Sequence, residues 1–179
     1  DITNKIVTDQ FGYRPKSKKI AIIRDPQTGF DANESYAPSN NFALVNTSTK
    51  QTVFTGAPTQ WNAGSTDASS GDKAWWFDFS SVEIEGTYYI LDIGNNKKSF
   101  DFVIEKNVYQ EVLKHAMRSF FYQRAGHKKD AQFTGSEWAD EASHVGALQD
   151  LNCRPFNDKN NASKERDVHG GWYDAGDFN

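Results

Sequence analysis

The chain has 179 residues, enough for one domain with a full core or for one domain and part of another. It is 37% hydrophobic and 25% charged, a composition that folds rather than staying disordered. The net charge of −4 supplies no basic footprint for nucleic acid or an anionic membrane, and no apolar run approaches the roughly eighteen residues of a membrane span.

Aromatic residues reach 14%, including five Trp and thirteen Phe, which fits either a dense sandwich core or a sugar-binding surface. Cys153 is the only cysteine, so an intrachain disulfide and a zinc site built on several thiolates are both excluded. The chain opens at Asp1 without the charged and apolar segments of a secretion signal, so any such signal is expected to have been removed or never to have existed.

From Ile6 to about Ile104 short apolar runs alternate with turn residues. Ile6-Val7 begins the first run, and Asp9 to Pro15 ends it in a Gly/Pro turn. Lys19 to Arg24 is β-branched and of strand length, and Asp25 to Gly29 breaks it. Phe42 to Val45 and Gln51 to Thr55 follow, joined by a hairpin loop over Asn46 to Lys50. After a polar loop from Trp61 to Asp72 come strands at Trp75 to Phe79 and Glu85 to Ile93. A turn at Asn95 to Lys98 leads into Ser99 to Ile104, whose alternation predicts Phe100, Phe102 and Ile104 on one face. Seven or so strands at this spacing predict an immunoglobulin-like β-sandwich over residues 1–105. Trp61, Trp75 and Trp76 read either as core and interface rings or as a carbohydrate platform.

At Asn107 the period changes. Val108, Val112, Ala116 and Phe120 form one row at i,i+4, and Tyr109, Leu113, Met117 and Phe121 form the next. Asn107 and Gln110 have the spacing of a capping box, and Gly126 suits a helix stop. Beyond this helix Ser136 to His144 and Asn157 to Asn161 read as loop, so nothing in the chain covers the helix's apolar face. Residues 106–179 are therefore expected to open a larger, helix-rich domain whose remainder is missing or on a separate chain.

The last stretch, Asp167 to Asn179, places Asp174 and Asp177 three residues apart behind Gly170-Gly171-Trp172-Tyr173. That spacing lets both carboxylates face one space, in a tight turn or in the first turn of a helix. Carboxylates beside aromatic rings suit a sugar, whose C–H faces stack on rings and whose hydroxyls bond to carboxylates. A surface turn with a capping Asp is the plainer reading of D-x-x-D by itself.

The run Gly170 to Asp177 resembles the signature of glycoside hydrolase family 9, the family of many bacterial and plant cellulases. Asp9 to Pro15 resembles the opening strand of the immunoglobulin-like module that precedes the catalytic domain in one branch of that family. Ser119 to Gly126 resembles the end of the first catalytic-domain helix in the same branch. The resemblance implies an immunoglobulin-like sandwich followed by the start of an all-α (α/α)6 barrel, and an inverting, secreted hydrolase of β-1,4-glucans. It implies Asp177 as the general base on the attacking water, with Asp174 holding that water and keeping Asp177 ionised. The general acid of the family is a Glu beyond Asn179; Glu137, Glu141 and Glu165 match no family motif. Trp172 and Tyr173 are candidates to line a sugar subsite or to support the loop from beneath.

Some family members bind zinc or calcium near this region, which draws attention to His144, Cys153 and His169. The lone cysteine departs from a multi-cysteine pattern, and the family's usual Cys-His pair is not evident. The hydrolysis itself is expected to need no cofactor, and His169 reads as packing around the loop. Two other functions stay open: a non-catalytic carbohydrate-binding or spacer module, and an exo-acting family member on cello- or glucosamine oligosaccharides.

Overall fold

The computed structural model describes residues 1–145, 153–168 and 170–174. The chain divides into two compact units, Asp1–Gln110 and Glu111–Asn179.

The first unit is a two-sheet sandwich. Its strands are β1 (Ile6–Val7), β2 (Ile20–Pro26), β3 (Phe42–Asn46), β4 (Thr52–Gly56), β5 (Thr59–Gln60), β6 (Asp72–Asp78), β7 (Gly86–Asp92), β8 (Lys97–Lys98) and β9 (Phe102–Ile104). One sheet runs β1-β2-β6-β5; the other runs β4-β3-β7, with β8 and β9 both on β7. The named strands pair antiparallel with one another, and the two-residue period of a strand turns alternate side chains to the space between the sheets. Ile6, Ala21, Ile23 and Phe77 from one sheet meet Phe42, Leu44, Tyr88, Ile90, Phe102 and Ile104 from the other. Each of the larger aliphatic and aromatic side chains in this set contributes roughly 2 kcal/mol by leaving water. Tyr13 and Phe79 fill one end of this core edge to face, with ring centroids 5.2 Å apart. The Tyr13 hydroxyl donates to the Ile20 carbonyl and accepts from the Asp9 amide, and burial pushes its pKa up to about 12.

The sandwich predicted from strand spacing is thus present, with three departures in detail. Phe100 is exposed, while Phe102 and Ile104 are buried. The reason is a bulge: β8 pairs Leu91 with Lys98, whereas β9 pairs Tyr88 with Phe102, one residue out of step. Ser99 spans the break, donating its amide to Ile90 O and accepting the Ile90 amide on its hydroxyl. The extra residue turns Phe100 outward. The two-residue β5, preceded by Pro58, was too short to show a period, yet it edges the sheet by pairing with Trp75 and Trp76. Those two rings lie on opposite faces of β6. Trp75 packs against the core, and Trp76 stands on the outer face with the Lys18 ammonium over its ring. Adjacent residues of a strand cannot share one flat platform.

The loop between β2 and β3 is fixed by charge. Arg24 grips Asp72 through two bonds of 2.7 and 3.0 Å and reaches Asp31 at 2.9 Å; Lys5 binds Glu34 at 2.9 Å. The same loop docks on Asp92, the last residue of β7, which is fully buried and accepts from the Tyr36 hydroxyl, the Ser39 amide and hydroxyl, and the Asn95 amide and side chain. Burial acts to raise the Asp92 pKa, but the bonds from Ser39, Tyr36 and Asn95 outweigh it and hold the carboxyl below its usual range.

After β9 the chain makes turns before helix α1 (Gln110–Tyr122). The predicted capping box is not formed: the helix starts at Gln110, whose amide bonds to the backbone carbonyl of Asn107. Tyr109 explains this, because its hydroxyl donates to Gly12 O at 3.2 Å and its ring lies under the Arg14 guanidinium. These contacts keep residues 105–109 as turns on the sandwich. Gly12 is required there: it has φ +97°, and a Cβ would meet Val103 O at 2.5 Å.

Candidate active site

The second unit is built around the C-terminal end of α1. No residue of the helix is buried, and Leu113, Met117 and Phe120 of its predicted apolar rows are all exposed. A helix end leaves carbonyls without partners inside the helix. Here a second segment supplies them. The Trp172 indole N–H donates to Phe120 O at 3.0 Å, and the Tyr173 amide donates to Gln123 O at 2.7 Å. In return the Ala125 amide donates to Gly171 O at 2.9 Å, so Arg124 and Trp172 face each other as an antiparallel bridge. This explains why the helix stops at Tyr122 and not near Gly126 as its sequence predicts: the backbone of 123–125 is taken by residues 171–173.

Glycine makes the approach possible. Gly126 has φ +66°, and a Cβ on it would meet the Gly170 Cα at 3.2 Å; Gly170 and Gly171 also lie at positive φ. A third segment joins them. The Gly126 amide donates to Ser143 O, and Lys129 and Asp140 exchange both backbone bonds, at 2.8 and 3.0 Å. Segments 123–129, 140–144 and 170–174 therefore form one hydrogen-bonded cluster. A one-turn helix, α2 (Ala131–Thr134), capped by the Asp130 carboxylate on the Gln132 amide, links the first two.

Of the predicted site residues, Asp174 lies on the exposed side directly after the anchored Tyr173. Asp177 lies outside the described residues. Trp172 is 63% exposed, so its ring faces solvent while its N–H is held by the helix. Tyr173 is half-buried, between the His144 ring at 5.2 Å and the Lys129 ammonium at 5.5 Å from its ring centre. Its described contacts are those of a support beneath the loop.

Cys153 exchanges backbone bonds with Arg166, and the neighbouring Arg154 is paired with Glu165. Glu141 pairs with Lys128 at 3.0 Å, and Glu137 is exposed on a short turn. His144 is engaged with Tyr173, and His169 lies outside the described residues. Among the described residues no three His, Cys, Asp or Glu side chains gather in a way that could hold a metal. The residue missed from the sequence is Lys129, which sits in a Lys-Lys-Asp run that looks like a solvated charge patch.

Comparison with known proteins gives two family matches in chain order. The cellulase N-terminal ig-like domain family matches residues 1–98, and glycosyl hydrolase family 9 matches residues 109–179. Endoglucanase C of Cellulomonas fimi is 36% identical over 119 residues, covering 62% of this chain and 11% of that protein. Endoglucanase D of Acetivibrio thermocellus is 28% identical over 176 residues, covering 98% of this chain and 24% of that protein. Against solved structures, a Bacteroides ovatus GH9 protein aligns with a TM-score of 0.69 at 23% identity, over 99% of this chain and 29% of that one, a likeness of fold. The chain thus spans about a quarter or less of the length of these curated relatives.

Proposed function

The chain belongs to glycoside hydrolase family 9, in the branch that opens with an immunoglobulin-like domain, and from that premise we propose that it supplies the water-activating half of a β-1,4-glucan hydrolase. The single observation that carries this reading is the anchoring of Gly171-Trp172-Tyr173 to the end of α1, which leaves Asp174 exposed two residues after an exposed indole. A glucosyl ring stacks its C–H face on Trp172 while the carboxylates approach from the side.

In this mechanism Asp177 is the general base and takes the proton of the attacking water. Asp174 accepts a hydrogen bond from the same water, orients it and keeps Asp177 ionised. Two neighbouring carboxylates repel, so hydrogen-bond donors must hold both charged. Inversion places the acid on the other side of the glycosidic bond, roughly 6.5–9.5 Å from the base, leaving room for the water. That acid is a Glu outside these 179 residues, and α1 is the first helix of the (α/α)6 barrel that carries it. The exposed apolar side chains Leu113, Met117 and Phe120 support the barrel, because they gain stability only when further helices cover them. A polymeric substrate too large to cross a membrane supports an enzyme that works outside the cell.

The test is stereochemical. Proton NMR of a soluble β-1,4-glucan digested by the full-length enzyme should show the α-anomer of the new reducing ends appearing first. First appearance of the β-anomer would rule out inversion and with it the base role of Asp177.

A further inference from the structure

Lys129 is 3% exposed, although an ammonium is costly to remove from water unless its charge is used. Two described partners take up that charge. Its Nζ donates to Arg124 O at 2.6 Å, and it lies over the Tyr173 ring, 5.5 Å from the centroid. Arg124 and Tyr173 belong to the two segments that meet behind the proposed site. Arg124 bridges to Trp172, and the Tyr173 amide is bonded to Gln123 O. The backbone of Lys129 is itself fixed by its two-way exchange with Asp140. One buried cation thus ties the turn after α1 to the residue immediately before Asp174.

We propose that Lys129 is a positioning residue for the water-activating carboxylates, clamping Tyr173 so that Asp174 and its partner meet the water at a fixed angle. This rests on the reading of Asp174 and Asp177 given above. It assigns Lys129 no contact with substrate: the ammonium acts through the Tyr173 ring and the Arg124 carbonyl. Displacing a catalytic group by about 1 Å costs on the order of 100-fold in rate, so loosening the clamp should appear in turnover and not in binding.

The experiment is steady-state kinetics of the full-length enzyme on a soluble β-glucan, with the folded fraction of each variant measured by thermal melting. Lys129→Met should lower kcat roughly 10- to 100-fold with KM changed by less than about twofold. Lys129→Arg, which keeps a cation over the ring and a donor to the carbonyl, should recover most of the loss. A folded Lys129→Met with kcat within about twofold of the parent overturns the proposal, as does a loss expressed in KM or an Arg variant no better than Met. Where Lys129→Met does not fold, Tyr173→Leu carries the test. It removes the ring but keeps the ammonium–carbonyl bond, and it should show the same kcat loss; an unchanged kcat or a raised KM overturns the clamp. Asp177→Asn in parallel separates the two levels. Retained turnover in that variant sinks the reading of the site, whereas an inactive Asp177→Asn beside a normal Lys129→Met sinks only the clamp.

Discussion

Asp92→Asn isolates the buried carboxylate that locks the sandwich's long loop in place. Its Oδ2 accepts from the Tyr36 hydroxyl at 2.7 Å, the Asn95 side chain at 2.8 Å and the Ser39 amide at 3.1 Å; its Oδ1 accepts from the Ser39 hydroxyl and the Asn95 amide. An Asn can keep its oxygen at the Oδ2 position and put its amide at Oδ1, where the Ser39 hydroxyl turns round to accept. The Asn95 amide is then left facing another donor. One buried N–H without a partner costs roughly 1–3 kcal/mol, and losing charge assistance on the other bonds adds about 1, for a total of about 3 kcal/mol at neutral pH. The pH dependence has a definite sign. The folded state holds Asp92 below its usual pKa, so its contribution is complete above the unfolded value of roughly 4 and is lost as pH falls through the folded value. Urea unfolding followed by far-UV circular dichroism should therefore show a gap between parent and variant that is widest at neutral pH and narrows below about pH 4. A gap that stays constant down to about pH 2, or a variant as stable as its parent, refutes the assignment of this lock to a charged Asp92.

Two further outcomes follow from the second unit. Gly126→Ala puts a Cβ 3.2 Å from the Gly170 Cα at a positive φ, so it should cost about 1–2 kcal/mol and speed hydrogen exchange of the Tyr173 amide. Unchanged exchange would show that the contact of 126 with 170 does not hold the loop. Leu113→Gln and Met117→Gln should leave the stability of the 179-residue chain within about 0.5 kcal/mol, and should each cost roughly 2 kcal/mol in the full-length enzyme, where the proposed barrel covers them. A large loss in the short chain would mean that the α1 face is already covered.

The parts legible in the sequence were those with a local pattern. Phe42 to Val45 and Glu85 to Ile93 read as strands because each is a short apolar run bounded by turn residues, with burial alternating along β7 but continuous through Phe42 to Val45, and α1 read as a helix from its two apolar rows. Phe100 did not, because the bulge that turns it outward is set by how β8 and β9 pair with β7 and not by its own neighbours. The early stop of α1 was hidden for the same reason: residues 171–173, far along the chain, take the backbone groups of 123–125. Near the site, Gly170-Gly171-Trp172-Tyr173-Asp174 was visible as a motif, and its glycines signalled the tight approach. Lys129 was invisible, since its meaning lies in the ring and carbonyl that only the fold brings to it.

The role of Asp177 is tested most directly by the turnover of Asp177→Asn in the full-length enzyme on a soluble β-glucan, with its melting temperature measured alongside. Removing a general base should lower kcat by about 10³-fold and leave the melting temperature essentially unchanged. A folded Asp177→Asn enzyme that turns over within about tenfold of its parent would contradict the assignment of Asp177 as the base.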